Sequence, residues 1–331
     1  MDIKNNENGS VDRLEKAFSN LLRDNINEFN SYFETVSTKL DIVDTKASFN
    51  CHHIALDGNR RPRIKDLAEF VANLVIDYAI PRSEIEEAYK YAREKNSNLK
   101  ISKLKTKANN LFTSLRNTGE CGELLLYLLI QNCLKIPQLL CKMPLKTNPN
   151  VHYHGVDGIH ATIEKTSGML VLYWGESKLY QSLDNAISEC LDSIKPFLTD
   201  EGGSDTKQKR DLELITDNID LCDEELERSL LRYLNPDDEL FKKVEYRGAC
   251  LIGFDCNHYP EEANTITQEK LKELINSEID NWKYKVGKSI KDRTSLKTFV
   301  LEIFMLPFPS VENFRQAFLS ELGLLNDGKD S

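Results

Sequence analysis

The stretch HGVDGIHATIEKTSGMLVLYWGESKLYQSL, residues 154–183, decides how the chain is read. Its middle, MLVLYW, is apolar throughout, yet Glu176 and Lys178 just beyond it are of the types least willing to be buried. GVDGIHATIE and GMLVLYWGESK have the length and composition of strands. The turn residues Lys165-Thr-Ser-Gly168 between them predict a β-hairpin. Residues two apart on a strand share a face, so Glu176 and Lys178 project together. The hairpin returns Asp157 to the same end of the sheet, where its carboxylate can meet that of Glu176. Such a group is either a solvated edge or a site.

The flanking sequence extends this pair into an αβββα block. GECGELLLYLLIQNCLKI (119–136) is apolar almost all round and predicts a buried helix ended by Pro137. LLCKMPLKT (139–147) reads as a strand ahead of the hairpin, and LDNAISECLDSIKPFL (183–198) as a helix after it. Upstream, residues 11–40 carry Leu14, Phe18, Leu21, Leu22 and Ile26 at helical spacing. SFNCHHIAL (48–56) alternates as a strand, and helices are expected at 64–79 and from Pro81 onward. Downstream, EGGSDTKQKRD (201–211) has linker composition. It is followed by an acidic helix, a strand at 244–256, a helix at 267–286, a strand at 296–306 and a helix at 310–322. The predicted class is α/β, with a central mixed sheet flanked by helices. The segments expected are a mostly helical N-terminal region (1–100), a core (101–200), an acidic linker and helix (201–240) and an α/β C-terminal extension (241–331).

Composition narrows the function classes. With 331 residues, 40% hydrophobic and 29% charged, the chain can bury a substantial core and has an ordinary globular balance. No apolar run approaches the length of a membrane span, and MDIKNNENGSVDRLEK lacks the profile of a signal peptide, so a cytoplasmic location is expected. Eight cysteines without a CxxC pair are expected to be reduced thiols. The net charge of −10 is concentrated: residues 200–239 hold 14 acidic and five basic side chains. Residues 93–116 hold seven basic side chains against Glu94, with Lys100, Lys103 and Lys107 along one helical face, so a polyanion such as DNA could dock there. His152, His154 and His160 hint at zinc, but no cysteine pair or fourth ligand stands at suitable spacing. There is no GxxxxGK[ST] loop, GxSxG, GxGxxG after a strand, or HExxH, which excludes ATP hydrolysis by the chain itself and several hydrolase and dehydrogenase classes.

Two carboxylates converging with a backbone carbonyl and water form a hard oxygen site suited to Mg²⁺ or Mn²⁺. Such an ion polarises a phosphodiester and acidifies a bound water. The lysine would orient or deprotonate that water, or offset charge in the transition state. Partial desolvation should lower the lysine pKa, with the neighbouring carboxylates opposing the shift.

Asp157, eighteen residues, then Glu176-Ser-Lys178 resembles the PD-(D/E)XK signature of restriction-endonuclease-like nucleases, with valine in the proline position. Gly119-x-x-x-Glu123 resembles the first-helix glutamate that many of those enzymes add to the metal site; Glu120 is the alternative. The order GECGELLLYLL, KMPLKT, HYHGVDGIH, YWGESKLY is similar to the HamA family, the nuclease subunits of the Hachiman anti-phage system, over about residues 110–200. The resemblance implies a restriction-endonuclease-like core and a Mg²⁺- or Mn²⁺-dependent deoxyribonuclease. It also implies Asp157, Glu176 and Glu123 at the metal, Lys178 beside it, and a superfamily-2 helicase (HamB-like) as partner, with DNA as substrate. Relatives of the RecB type often follow the lysine with Gln-x-x-x-Tyr; here Gln181 is followed by Asn185, so that element is absent. The rival reading is a catalytically inactive nuclease fold serving as a DNA or helicase adaptor.

Overall fold

A computed structural model describes residues 2–23, 25–112, 119–146, 155–199 and 206–325. In chain order the elements are α1 (Asp2–Leu21), α2 (Ile26–Tyr32), β1 (Phe33–Asp41), β2 (Ala47–Ile54), α3 (Ile64–Asn73), α4 (Val75–Ala79), α5 (Arg82–Lys95), α6 (Leu99–Asn110), α7 (Glu120–Leu129), α8 (Met143–Lys146), β3 (Gly158–Ile163), β4 (Leu170–Tyr180), α9 (Leu183–Leu198), α10 (Lys207–Asn218), α11 (Glu224–Leu234), β5 (Val244–Asp255), α12 (Gln268–Asp292), β6 (Leu301–Phe308) and α13 (Val311–Glu321).

The strands form one mixed six-stranded sheet in the order β1-β2-β6-β5-β4-β3. The inner four run parallel, and β1 and β3 are antiparallel edges. Inner parallel strands are covered on both faces and read as continuous apolar runs. That is the physical reason for MLVLYW: Leu170, Leu172 and Trp174 are fully buried, and α9 packs across β4 and β5. Glu176 and Lys178 lie toward the carboxyl end of β4, the end at which open α/β sheets build their sites. The hairpin forms as expected, with Gly168 at φ +67° in the left-handed region and its N–H on the Glu164 carbonyl (2.8 Å).

Several expectations are corrected. The helical reading of residues 11–40 holds only to Tyr32: residues 33–41 form β1, an irregular edge strand whose half-exposed pattern gives no alternation to read. Residues 139–146, the described part of that stretch, are not a strand. The chain there lies against β3 through Leu139 N–H to the Ile159 carbonyl (2.8 Å) and, just upstream, Ala161 N–H to the Pro137 carbonyl (3.2 Å), then turns into α8 at Met143; Pro144 cannot donate to a ladder. The helix expected at 64–79 breaks at Leu74 into α3 and α4. In the stretch read as linker, residues 207–211 begin α10, capped by the Thr206 hydroxyl; residues 201–205 lie outside the described residues. The segments expected at 1–100, 101–200 and 241–331 each contribute two strands to the same sheet.

Candidate active site

Asp157 stands one residue before β3, and its N–H donates to the Gly175 carbonyl (2.8 Å), which fixes it beside β4. Its Oδ2 accepts from the backbone N–H (2.8 Å) and the hydroxyl (2.7 Å) of Ser177. Ser177 therefore projects from the opposite face of β4 to Glu176 and Lys178, and Asp157 is bound to the serine rather than to the Glu176 side chain. α7 seats its first turn on that serine face. A Cβ at Gly122 would lie 2.9 Å from Ser177 Oγ, so only glycine admits the close approach.

The seating of α7 brings in Glu123. The Tyr78 hydroxyl donates to Glu123 Oε2 (2.8 Å) and lies 3.3 Å from the Asp157 backbone carbonyl, so one fully buried phenol ties the helix glutamate to the hairpin aspartate. Burial and the Glu123 charge hold the Tyr78 phenol well above its ordinary pKa, so it stays a donor. Glu123 lines the cleft; Glu120, though buried in the same turn, does not.

On the other face, Lys178 Nζ donates to Glu176 Oε2 (3.1 Å). Burial and the neighbouring Asp157 charge push the Glu176 carboxyl up to about 8, against the opposing pull of Lys178 and Lys142. Burial alone would lower the Lys178 pKa, but the Glu176 and Asp157 charges outweigh it and hold the ammonium above its ordinary value. The expected fall is thus reversed. Lys178 is a cation here, and the proton that is easy to displace sits on Glu176.

Asp157, Glu123, Ser177 and Lys178 open onto a cleft of about 810 Å³ that Arg315 and Glu312 of α13 also line. Arg315 donates to Glu312 Oε2 (2.7 Å) and the Leu179 carbonyl (3.2 Å), while its Nε is buried without a partner. Gln181 and Asn185 line the cleft too, although they form no Gln-x-x-x-Tyr element.

The three carboxylates are hard oxygen donors, the chemistry Mg²⁺ and Mn²⁺ prefer. Among the described residues, however, no group of three or more His, Cys, Asp or Glu side chains is placed to hold a metal ion. Each carboxylate accepts from a protein donor on one of its oxygens: Asp157 from Ser177, Glu123 from Tyr78 and Glu176 from Lys178.

Other candidates fall elsewhere. His160 is buried with Nδ1 3.1 Å from the Ile136 carbonyl, and burial pushes its pKa down to about 4, so it belongs to the core. His152 and His154 lie outside the described residues. Lys107 is bonded to Glu84 Oε1 (2.8 Å) and Lys100 to Glu87, both glutamates from α5, while Lys103 is exposed. The basic face of α6 is therefore partly neutralised by its neighbour. All eight cysteines are free thiols.

Tyr78, Ser177 and Arg315 were not singled out from the sequence. Ser177 had a signal, as the residue that alternation turns to the other face between Glu176 and Lys178. Tyr78 and Arg315 had none, because they reach the cleft only through tertiary packing of α4 and α13. No helix among the described residues is long and apolar enough to cross a membrane. Compared with known proteins, the chain matches the HamA family over residues 5–322. No curated protein matches it.

Proposed function

The chain belongs to the HamA family, components of Hachiman anti-phage defence, and from that premise we propose that it is a metal-dependent nuclease that cleaves DNA phosphodiester bonds, restrained and directed by a superfamily-2 helicase partner. The observation that carries the reading is the gathering of Asp157, Glu123 and Lys178 on one cleft, with Glu176 bonded behind the lysine. Asp157 and Glu176, supported by Glu123, would hold Mg²⁺ or Mn²⁺, which supplies polarisation of the scissile phosphate when bound. Lys178, kept protonated by its carboxylates, offsets negative charge at the phosphate rather than acting as a base. Arg315 offers a second cation across the cleft. The first turns of α7, α9 and α13 also line it, through Cys121, Asn185 and Glu312, and helix amino termini favour anions. Lacking a phosphate loop, the chain needs a separate ATP-driven partner to open or translocate DNA.

A second reading, an inactive adaptor that binds DNA or the helicase, is favoured by one observation: each carboxylate is already held by a protein donor. Thermal melting with Mn²⁺ and duplex DNA separates the two. The nuclease reading expects a Mn²⁺-dependent rise in Tm that Glu176→Ala abolishes. A wild-type protein that binds DNA but shows no Mn²⁺ shift overturns it in favour of the adaptor.

A further inference from the structure

Immediately upstream of the carboxylates, one peptide is gripped by a buried charge pair outside the PD-(D/E)XK pattern. Lys142 and Asp211 side chains are 1% and 2% exposed, with Nζ 3.5 Å from Oδ2. Lys142 Nζ donates to the Val156 carbonyl, and Asp211 Oδ2 accepts from the Val156 N–H at 3.4 Å. The peptide joining Val156 to Asp157 is thus held at both ends, its carbonyl by Lys142 and its N–H by the Gly175 carbonyl. Val156 precedes β3, so the β3–β4 ladder provides nothing for its N–H; Asp211 does.

A buried ion pair is weak evidence for stability, because desolvation of both charges offsets most of their attraction and apolar replacements are often neutral or better. What this pair has that an apolar pair lacks is direction, applied to the backbone that carries Asp157. We propose that Lys142 and Asp211 are positioning residues for Asp157, and that α10, the first helix of the acidic segment, is a structural part of the active site. The ammonium sets the plane of the Val156–Asp157 peptide. The carboxylate from α10 orients the ammonium and the preceding N–H. The Asp157 side chain then leaves the backbone at a fixed angle and reaches Ser177. What Asp157 does from that position rests on the nuclease reading; the positioning itself does not.

The test compares full-length wild type with the double variant Lys142→Met/Asp211→Leu, which removes both charges at similar volume and leaves no lone buried ion. Two readouts are taken: hydrogen exchange of peptides covering residues 155–163, and Mn²⁺ affinity. The expected result is a folded variant with faster exchange at the start of β3, unchanged exchange in β4, and a loss of Mn²⁺ affinity of about 10–100-fold, as for partners that orient metal ligands. Wild-type exchange and affinity in a folded double variant overturn the proposal. If the double variant fails to fold, Asp211→Asn, close to isosteric, is read the same way, and unchanged exchange there overturns it. A wild type without Mn²⁺ affinity defeats the nuclease reading, and the exchange result alone then decides the positioning.

Discussion

At the residue scale the site is organised by where its protons sit. Glu176 keeps its proton up to about pH 8 in the folded protein against an ordinary value of 4.5, because burial and Asp157 both disfavour its charge. Between those pH values the folded state binds more protons than the unfolded chain, so this group's contribution to stability is lost as pH rises. Glu176→Gln removes that loss. Scanning calorimetry of metal-free protein should show Tm at pH 8 raised by at least about 2 °C in the variant, with little change near pH 4.5. An unchanged or lowered Tm at pH 8 contradicts the assignment. If Glu176 ligates a divalent cation it must first lose that proton, so Mn²⁺ affinity of the wild type should increase from pH 6 to pH 8. Titration calorimetry at the two pH values checks it, and a flat profile counts against Glu176 as a ligand. Tyr78→Phe tests the other half of the cluster. Losing the hydroxyl leaves Glu123 and the Asp157 carbonyl without that donor, which should cost about 1–3 kcal/mol of stability in urea titration and about tenfold in Mn²⁺ affinity. A variant identical to wild type in both would remove Tyr78 from the site.

At the scale of elements, strand β4 does two things with one composition. Its apolar run locks between β3 and β5, and that rigidity fixes the charged end. Both strands of the hairpin were legible in the sequence because the turn between them and their short apolar runs are local signals. Asp157, Glu176 and Lys178 stood out with them as charged groups at the strand ends, whereas Glu123 was reached only through its resemblance to the first-helix glutamate of PD-(D/E)XK nucleases. Two elements were not legible for opposite reasons: β1 is an edge with little burial to pattern it, and residues 139–146 are apolar enough for a strand yet turn into α8 at Met143-Pro144. The lysines of α6 illustrate the limit of charge counting, since sequence shows the run but not that Glu84 and Glu87 of α5 fold against it. Exposed pairs of that kind are weak, so the cleft's own cation on α13 is the better test of anion contact. Arg315→Met should weaken DNA binding in the absence of metal and reduce the salt dependence of its log Kd by about one unit of slope. An unaltered slope would mean that Arg315 touches no phosphate.

At the scale of the molecule, residues 1–100, 101–200 and 241–331 each give two strands to one sheet, so β3 and β4 with their carboxylates belong to a sheet at the centre of the described fold. α10 belongs to that centre through Asp211, although its sequence reads as charged linker. Sequence charge statistics missed this because one buried aspartate among exposed acidic residues leaves no mark on composition. The most direct measurement is cleavage of labelled duplex DNA with Mg²⁺ and the helicase partner by wild type, Glu176→Ala and Lys178→Ala. The predicted result is cutting by wild type alone, with both variants reduced by at least about 10²-fold while still binding DNA. Equal cutting by all three proteins would contradict it.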